Sequence, residues 1–151
     1  MYGSGFLTAN TPFGADLNLA VQIGVALLLL VGAGLARLGR YRAHGACQAS
    51  AFAAMLGLTV VWMVPQLREG FGPALLHDGA TPVNLAVAAH ITLGSGVLGL
   101  GAWIILVAAT NVVPPRLRFK SYKLWMRTLL VLWWATLLFG IATYRFAWMT
   151  S

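Results

Sequence analysis

The sequence predicts an all-α integral membrane protein, a four-helix bundle with up-down topology and both termini outside. Three observations lead to this fold class. Of the 151 residues, 60% are hydrophobic and only 9% are charged, whereas about a quarter of the residues of a soluble domain are charged. Four apolar segments are each long enough for a bilayer core, which takes about 20 helical residues. The Lys and Arg residues fall mainly in alternate loops, as the positive-inside rule describes.

The whole chain, 1–151, is predicted to form a single transmembrane domain without a soluble module. We expect helices at about 17–38, 46–67, 82–113 and 125–148. The first contains the leucine run 27–30, and the second carries no charge and has Pro65 near its end. The residues that follow, about 68–81, include several glycines and prolines and are predicted to form a loop.

The third predicted helix begins with a clear start signal. Thr81 can cap the first turn, and Pro82 is preorganised for the first helical position. No charged residue occurs from Val83 to Val113, a run of about 46 Å at the helical rise per residue. Because this exceeds the thickness of a bilayer core, we expect the helix to tilt or protrude.

The distribution of charge predicts the orientation. The first and third loops, with the adjoining helix ends, carry eight basic residues and no acid: Arg37, Arg40, Arg42, Arg116, Arg118, Lys120, Lys123 and Arg127. The three acids, Asp16, Glu69 and Asp78, fall on the opposite side, outside the membrane. The basic loops are therefore expected to be cytoplasmic, with anionic lipid headgroups as their counter-charge. Nucleic acid is not expected as a partner, since no domain is left to bind it.

His90 is the one ionisable residue within the third apolar run, and such a residue is a functional candidate. Steps of three and four residues place Ala86, Gly94, Val97 and Gly101 on its helix face. So little side-chain bulk would admit a neighbouring helix or a flat macrocycle such as haem. Three interpretations stay open: ordinary helix packing with His90 hydrogen-bonded to a neighbour, a ligand for haem or copper, and proton handling.

Depth counting gives His90 potential neighbours. Gln22, Gln66, His90 and Tyr144 belong to four different helices and lie within about one or two turns of the outer surface. If their faces converge, the bundle holds a polar pocket that contains an imidazole. His44 lies at the cytoplasmic side and therefore cannot share a metal ion with His90.

Other catalytic signatures are missing from the sequence. There is no glycine-rich phosphate loop, no zinc-spaced Cys/His set and no buried carboxylate pair, so an enzyme is not expected. Cys47 follows His44 on the same helix face, but one Cys and one His rarely form a metal site unaided. His44 is most simply a solvated or headgroup-facing residue at a helix start.

Three blocks of the sequence resemble a bacterial four-helix membrane family, the domain of unknown function that includes the CtaM and YozB proteins. The blocks are Tyr41-Arg42-Ala43-His44 with Ala51-Phe52, then Ala89-His90-Ile91-Thr92-Leu93, and finally Lys123-Leu124 with Gly140-Ile141-Ala142-Thr143-Tyr144. Two departures stand out: Ser121-Tyr122 where the family usually has a histidine, and Pro65-Gln66 where it commonly has a tyrosine or histidine. These departures favour a structural accessory role.

The resemblance implies a role in maturation or assembly of haem-copper cytochrome oxidase in the bacterial inner membrane. It also implies that the matching histidines, His44 and His90, touch haem or copper. With the depth argument, the candidate cofactor-binding residues are His90, His44, Tyr144 and Gln22, and His90 is the candidate metal ligand. The first expectation is a non-enzymatic accessory or assembly subunit that contacts other membrane subunits. The alternatives are a haem b-type electron-transfer subunit that uses His90, and a permanent structural subunit of a photosynthetic or respiratory complex.

Overall fold

The computed structural model describes residues 5–7 and 11–148, and within these residues the chain is helical without a β-strand. Its four long helices are α1 (Phe13–Arg37), α2 (Tyr41–His77), α3 (Pro82–Ala109) and α4 (Tyr122–Trp148). Each is long and apolar enough to cross a membrane. The predicted all-α architecture with four apolar spans is therefore confirmed, and it is the architecture expected of a multi-pass membrane protein.

α1 begins four residues earlier than the sequence predicts. Pro12 precedes it in an extended conformation, and Asp16 lies in its first turn, where a carboxylate is favoured by the helix dipole. The helix ends before Gly39, whose φ of 72° is readily accessible only to glycine. Only residues 38–40 separate it from α2, so the basic residues Arg42 and His44 belong to the second helix rather than to a loop.

α2 continues through the segment that the sequence predicts to be a loop. Two π-helical segments, Thr59–Met63 and Leu67–Phe71, flank the turn that contains Pro65. Proline has no N–H to donate and its ring crowds the preceding turn, and the wider π turns allow the helix to pass it. Gly72 follows directly after the second segment. Any residue with a Cβ at this position would collide with the carbonyl oxygen of Leu67, so the widened turn requires glycine there. The glycine and proline signals therefore mark a widened helix, not its end.

α3 begins as predicted and ends earlier than predicted. The Thr81 hydroxyl accepts a hydrogen bond from the Asn84 N–H at 3.1 Å, which is the expected N-cap. At the other end, the Arg118 guanidinium donates to the carbonyls of Thr110 and Val113, at 3.0 Å each. These bonds hold residues 110–113 outside the helix. The helix is about 42 Å long rather than about 46 Å.

The interior of the bundle is built from all four helices, with α1 packing mainly on α2 and α3 mainly on α4. The buried core cluster consists of Val25, Leu29, Ala51, Met55, Val97 and Trp133. Contacts near both ends are specific: Gly14 of α1 lies under the Trp62 ring of α2, and Gly32 lies beside Cys47. These close approaches hold α1 against α2.

Candidate functional site

Four polar residues, one from each long helix, line a single cavity of about 100 Å³. They are Gln22, Gln66, His90 and Tyr144, the same residues that depth counting places at one level. Asn18, Trp62, Phe71 and Trp148 also contribute to its wall. We call this space the His90 cavity. It lies between the beginning of α1 and the end of α4.

His90 is held in one orientation by the backbone of α4. Its Nδ1 lies 2.9 Å from the carbonyl oxygen of Thr136. A carbonyl can only accept, so in the neutral imidazole the proton is on Nδ1 and the lone pair is on Nε2. Because the bonded carbonyl belongs to a residue outside the cavity wall, Nε2 is the nitrogen left for a cavity ligand.

Gly140 makes this orientation sterically feasible. A Cβ at position 140 would lie 3.0 Å from His90 Cε1, 3.1 Å from Nδ1 and 3.4 Å from Gln22 Oε1. Real Cβ atoms essentially never approach heavy atoms more closely than the first of these distances. The imidazole of α3 and the amide of α1 therefore meet over a position in α4 that has no side chain.

α1 contributes two amides on one face, four residues apart. Gln22 is buried, with 4% of its surface exposed. The Oδ1 atom of Asn18 is also buried, and it forms no hydrogen bond with any described residue. An unpaired buried carbonyl oxygen costs free energy, and Asn18 is also one of the residues that line the cavity.

A carboxylate lies beside the cavity, bonded to Tyr144 of its wall. The sequence predicts that this carboxylate lies outside the membrane. Asp16 is fully buried at the start of α1. It accepts hydrogen bonds from the Tyr144 hydroxyl at 2.5 Å, the Thr11 hydroxyl at 2.7 Å and the Leu7 N–H at 2.6 Å. Asp16 therefore does not face solvent, and its bond to Tyr144 joins the beginning of α1 to the end of α4. The one sequence feature that indicates a structural role for Asp16 is its position in the first turn of α1.

The π-helical part of α2 forms one wall of the cavity. Trp62 and Met63 come from the first widened segment, Gln66 follows Pro65, and Leu67 and Phe71 come from the second segment. A π bulge shifts the residues after it around the helix axis. Sequence periodicity calculated for an α-helix cannot predict which of these side chains point inward.

The other two histidines do not reach the His90 cavity. His44 Nδ1 lies 2.8 Å from the carbonyl oxygen of Gly32, so this imidazole is bonded to α1 and is not simply solvated. Cys47 lies against the same glycine, but no third ligating side chain joins them among the described residues. His77 is exposed at the end of α2. The structure thus separates His44 from His90, as the sequence analysis expected.

The small-residue face of α3 around His90 is occupied within the chain. A Cβ added at Gly94 would lie 3.5 Å from the Thr136 side chain. A Cβ added at Gly101 would lie 3.3 Å from the Phe52 ring. Ala86 and Val97 are buried. Of the two occupants that the sequence allows for this face, a neighbouring helix is the one present, since α2 and α4 of the same chain cover it.

The cavity does not fit a haem. Sites for drug-sized molecules have volumes of about 300–1,000 Å³, several times the volume of the His90 cavity. For a metal ion, the cavity offers one imidazole. The described residues contain no group of three or more His, Cys, Asp or Glu side chains that could hold such an ion. The geometry suits a small ligand that forms hydrogen bonds.

Comparison with protein-family models, with curated proteins and with solved structures gave no match to this chain.

Proposed function

We propose that this chain is a non-enzymatic accessory or assembly subunit of a bacterial respiratory complex of the haem-copper oxidase type. It would act in the inner membrane through helix-to-helix contacts with other membrane subunits. The observation that carries this proposal is a second small-residue face on α3, distinct from the one that bears His90. This face is exposed along its whole length: Ala88, Thr92, Ser95, Gly96, Gly99 and Ala102.

The exposed face is suited to a neighbouring helix. A Cβ added at Gly96 or at Gly99 would meet no atom within 4 Å other than the neighbouring residues and backbone of its own helix. In lipid, helices associate by close packing of small residues rather than by the hydrophobic effect. Leu85 and Leu106 bound the small-residue stretch and are also exposed. A partner helix could therefore approach the α3 backbone closely between these two leucines.

Two further lines support the proposal. The sequence resembles the CtaM and YozB family, whose role is in oxidase maturation. The haem b alternative is disfavoured by the small volume of the His90 cavity, about 100 Å³.

The topology is part of the proposal. With the helices alternating in direction, the basic loops around Arg40 and Arg118 face the cytoplasm and anionic lipid, and both termini are outside. A reporter active only outside the cytoplasm should be active when fused after Ser151 and inactive when fused after Gly39. The opposite pattern would reject the proposed orientation.

Native purification in mild detergent tests the function. We expect oxidase subunits to copurify with the chain, and a dithionite-reduced minus oxidised spectrum of the isolated chain to show no haem. A haem signal that is lost in the His90→Ala variant would instead establish the electron-transfer alternative. Stoichiometric retention in the mature complex would indicate a permanent structural subunit, whereas retention only in immature complexes would indicate an assembly factor.

A further inference from the structure

We infer that the His90 cavity binds a primary ammonium group, R–NH3+, which is supplied either by an ethanolamine lipid headgroup or by a free small amine. The inference concerns the ligand of the cavity and goes beyond the proposed contacts with other subunits. It rests on the hydrogen-bond acceptors in the cavity wall, the carboxylate of Asp16 beside the wall, and the aromatic side chains that line the cavity.

The first argument is the set of acceptors. Asn18 Oδ1 is buried and has no partner among the described residues. Gln22 Oε1 lies beside Gly140, at the level of the imidazole. His90 keeps its Nε2 lone pair because Nδ1 is committed to Thr136. A primary ammonium has three N–H donors and no acceptor, so its hydrogen-bonding capacity matches three acceptors from two helices.

The second argument is charge. Asp16 is fully buried, and the hydrogen bonds that it accepts from Leu7, Thr11 and Tyr144 come from neutral donors, a backbone N–H and two hydroxyls. Hydrogen bonds donated to both oxygens of a carboxyl group favour its charged form. Its neighbour Ala15 and its partner Tyr144 both line the cavity, and no Lys or Arg does so. A buried anion beside a cavity without cations favours a positively charged ligand.

The third argument concerns the walls. Trp62, Phe71 and Trp148 line the cavity, and aromatic faces attract ammonium groups electrostatically. A calcium or magnesium ion prefers about six or more oxygen ligands. The cavity offers an imidazole nitrogen and a few amide oxygens instead. A quaternary ammonium has no N–H to satisfy Asn18, so the site should distinguish primary from quaternary amines.

The experiment is a titration of the full chain in detergent, followed by tryptophan fluorescence, since Trp62 and Trp148 line the cavity. Ethanolamine hydrochloride is compared with choline chloride and sodium chloride at equal ionic strength. We expect a saturable change with ethanolamine and none with the other two salts. An equal response to all three salts would overturn the inference.

Variants at Asn18 make the test specific. Asn18→Leu should weaken ethanolamine binding by about ten- to a hundredfold, the value of a hydrogen bond to a charged group. Asn18→Asp adds a negative charge at the same place and should strengthen binding, which keeps the test valid if the leucine variant folds poorly. Thr92→Val, on the exposed face of α3, is the matched control and should leave binding unchanged. Unaltered affinity in both Asn18 variants would contradict the inference.

Nanodiscs separate the two sources of the ammonium group. If the ligand is a lipid headgroup, native mass spectrometry should find phosphatidylethanolamine retained by the wild-type chain and lost from Asn18→Leu. Free ethanolamine should then bind more weakly in discs of phosphatidylethanolamine than in discs of phosphatidylcholine. If the ligand is a free amine, ethanolamine should bind equally in both discs. Failure of these tests would leave the subunit proposal intact, because that proposal depends on the exposed face of α3.

Discussion

The imidazole of His90 lies directly over Gly140, so that a methyl group on this glycine would sit 3.0 Å from His90 Cε1. The two residues belong to α3 and α4, and their close approach is what allows His90 Nδ1 to reach the Thr136 carbonyl. The orientation of the candidate functional side chain thus depends on a residue that has no side chain.

Replacing Gly140 with alanine should displace the His90 ring and lengthen its bond to Thr136. Overpacking at such a site costs about 1–3 kcal/mol, and we expect a corresponding fall in the free energy of unfolding in detergent. Gly57→Ala is the control, since Gly57 lies in α2 with open space around it. Alanine there should be neutral or stabilise by up to about 1 kcal/mol. Equal effects of both substitutions would contradict the proposed contact.

Tyr144→Phe removes the hydroxyl that donates to Asp16 and leaves the rest of the ring in place. Asp16 is buried, so the lost hydrogen bond cannot be replaced readily by water, and the variant should have a lower Tm than the wild type. Tyr41→Phe is the matched control, because Tyr41 is 71% exposed at the start of α2. A Tm for Tyr144→Phe that equals that of the control would show that the bond contributes nothing to stability.

The sequence predicts the number of spans because hydrophobicity over about 20 residues is a strong and local signal. The predicted end of α2 is wrong for a physical reason. Pro65 and Gly72 are helix-ending signals in water, but in this chain the π-helical turns accommodate the proline and require the glycine. The helix therefore continues for ten residues past the predicted end at Leu67.

The sequence predicts the level of the candidate site residues along the helix axes, but not the directions in which their side chains point. Counting residues from the helix ends places Gln22 and His90 at one level because the helical rise is constant. It cannot give the rotation of each helix, so the inward position of Trp62, within a π-helical segment, was not predictable. Asp16 was missed because an acid near a helix end usually faces water. Asn18 follows from the sequence together with Gln22, since the two stand four residues apart on the same face near the start of the first helix.

Asn18→Leu should stabilise the chain in buffer that contains no amine. The substitution removes a buried oxygen that has no partner, and an unsatisfied group of this kind costs about 1–3 kcal/mol. The measurement is thermal or denaturant unfolding in detergent. Asn111→Leu is the control, because Asn111 is exposed and accepts from Arg118 at 3.3 Å, so leucine there should give no gain. A loss of stability in Asn18→Leu would mean that the amide has a structural partner.

Gly96→Leu tests the exposed face of α3 without disturbing the bundle. A Cβ at Gly96 would meet no other helix within 4 Å, so a larger side chain should leave the Tm of the isolated chain unchanged. It should nevertheless prevent close approach of a partner helix and abolish copurification of the associated subunits. Val61→Leu adds bulk to α2 at a position that is 77% exposed and should leave copurification intact. If Gly96→Leu still retains the partner subunits at wild-type levels, the partner contacts another face of the protein.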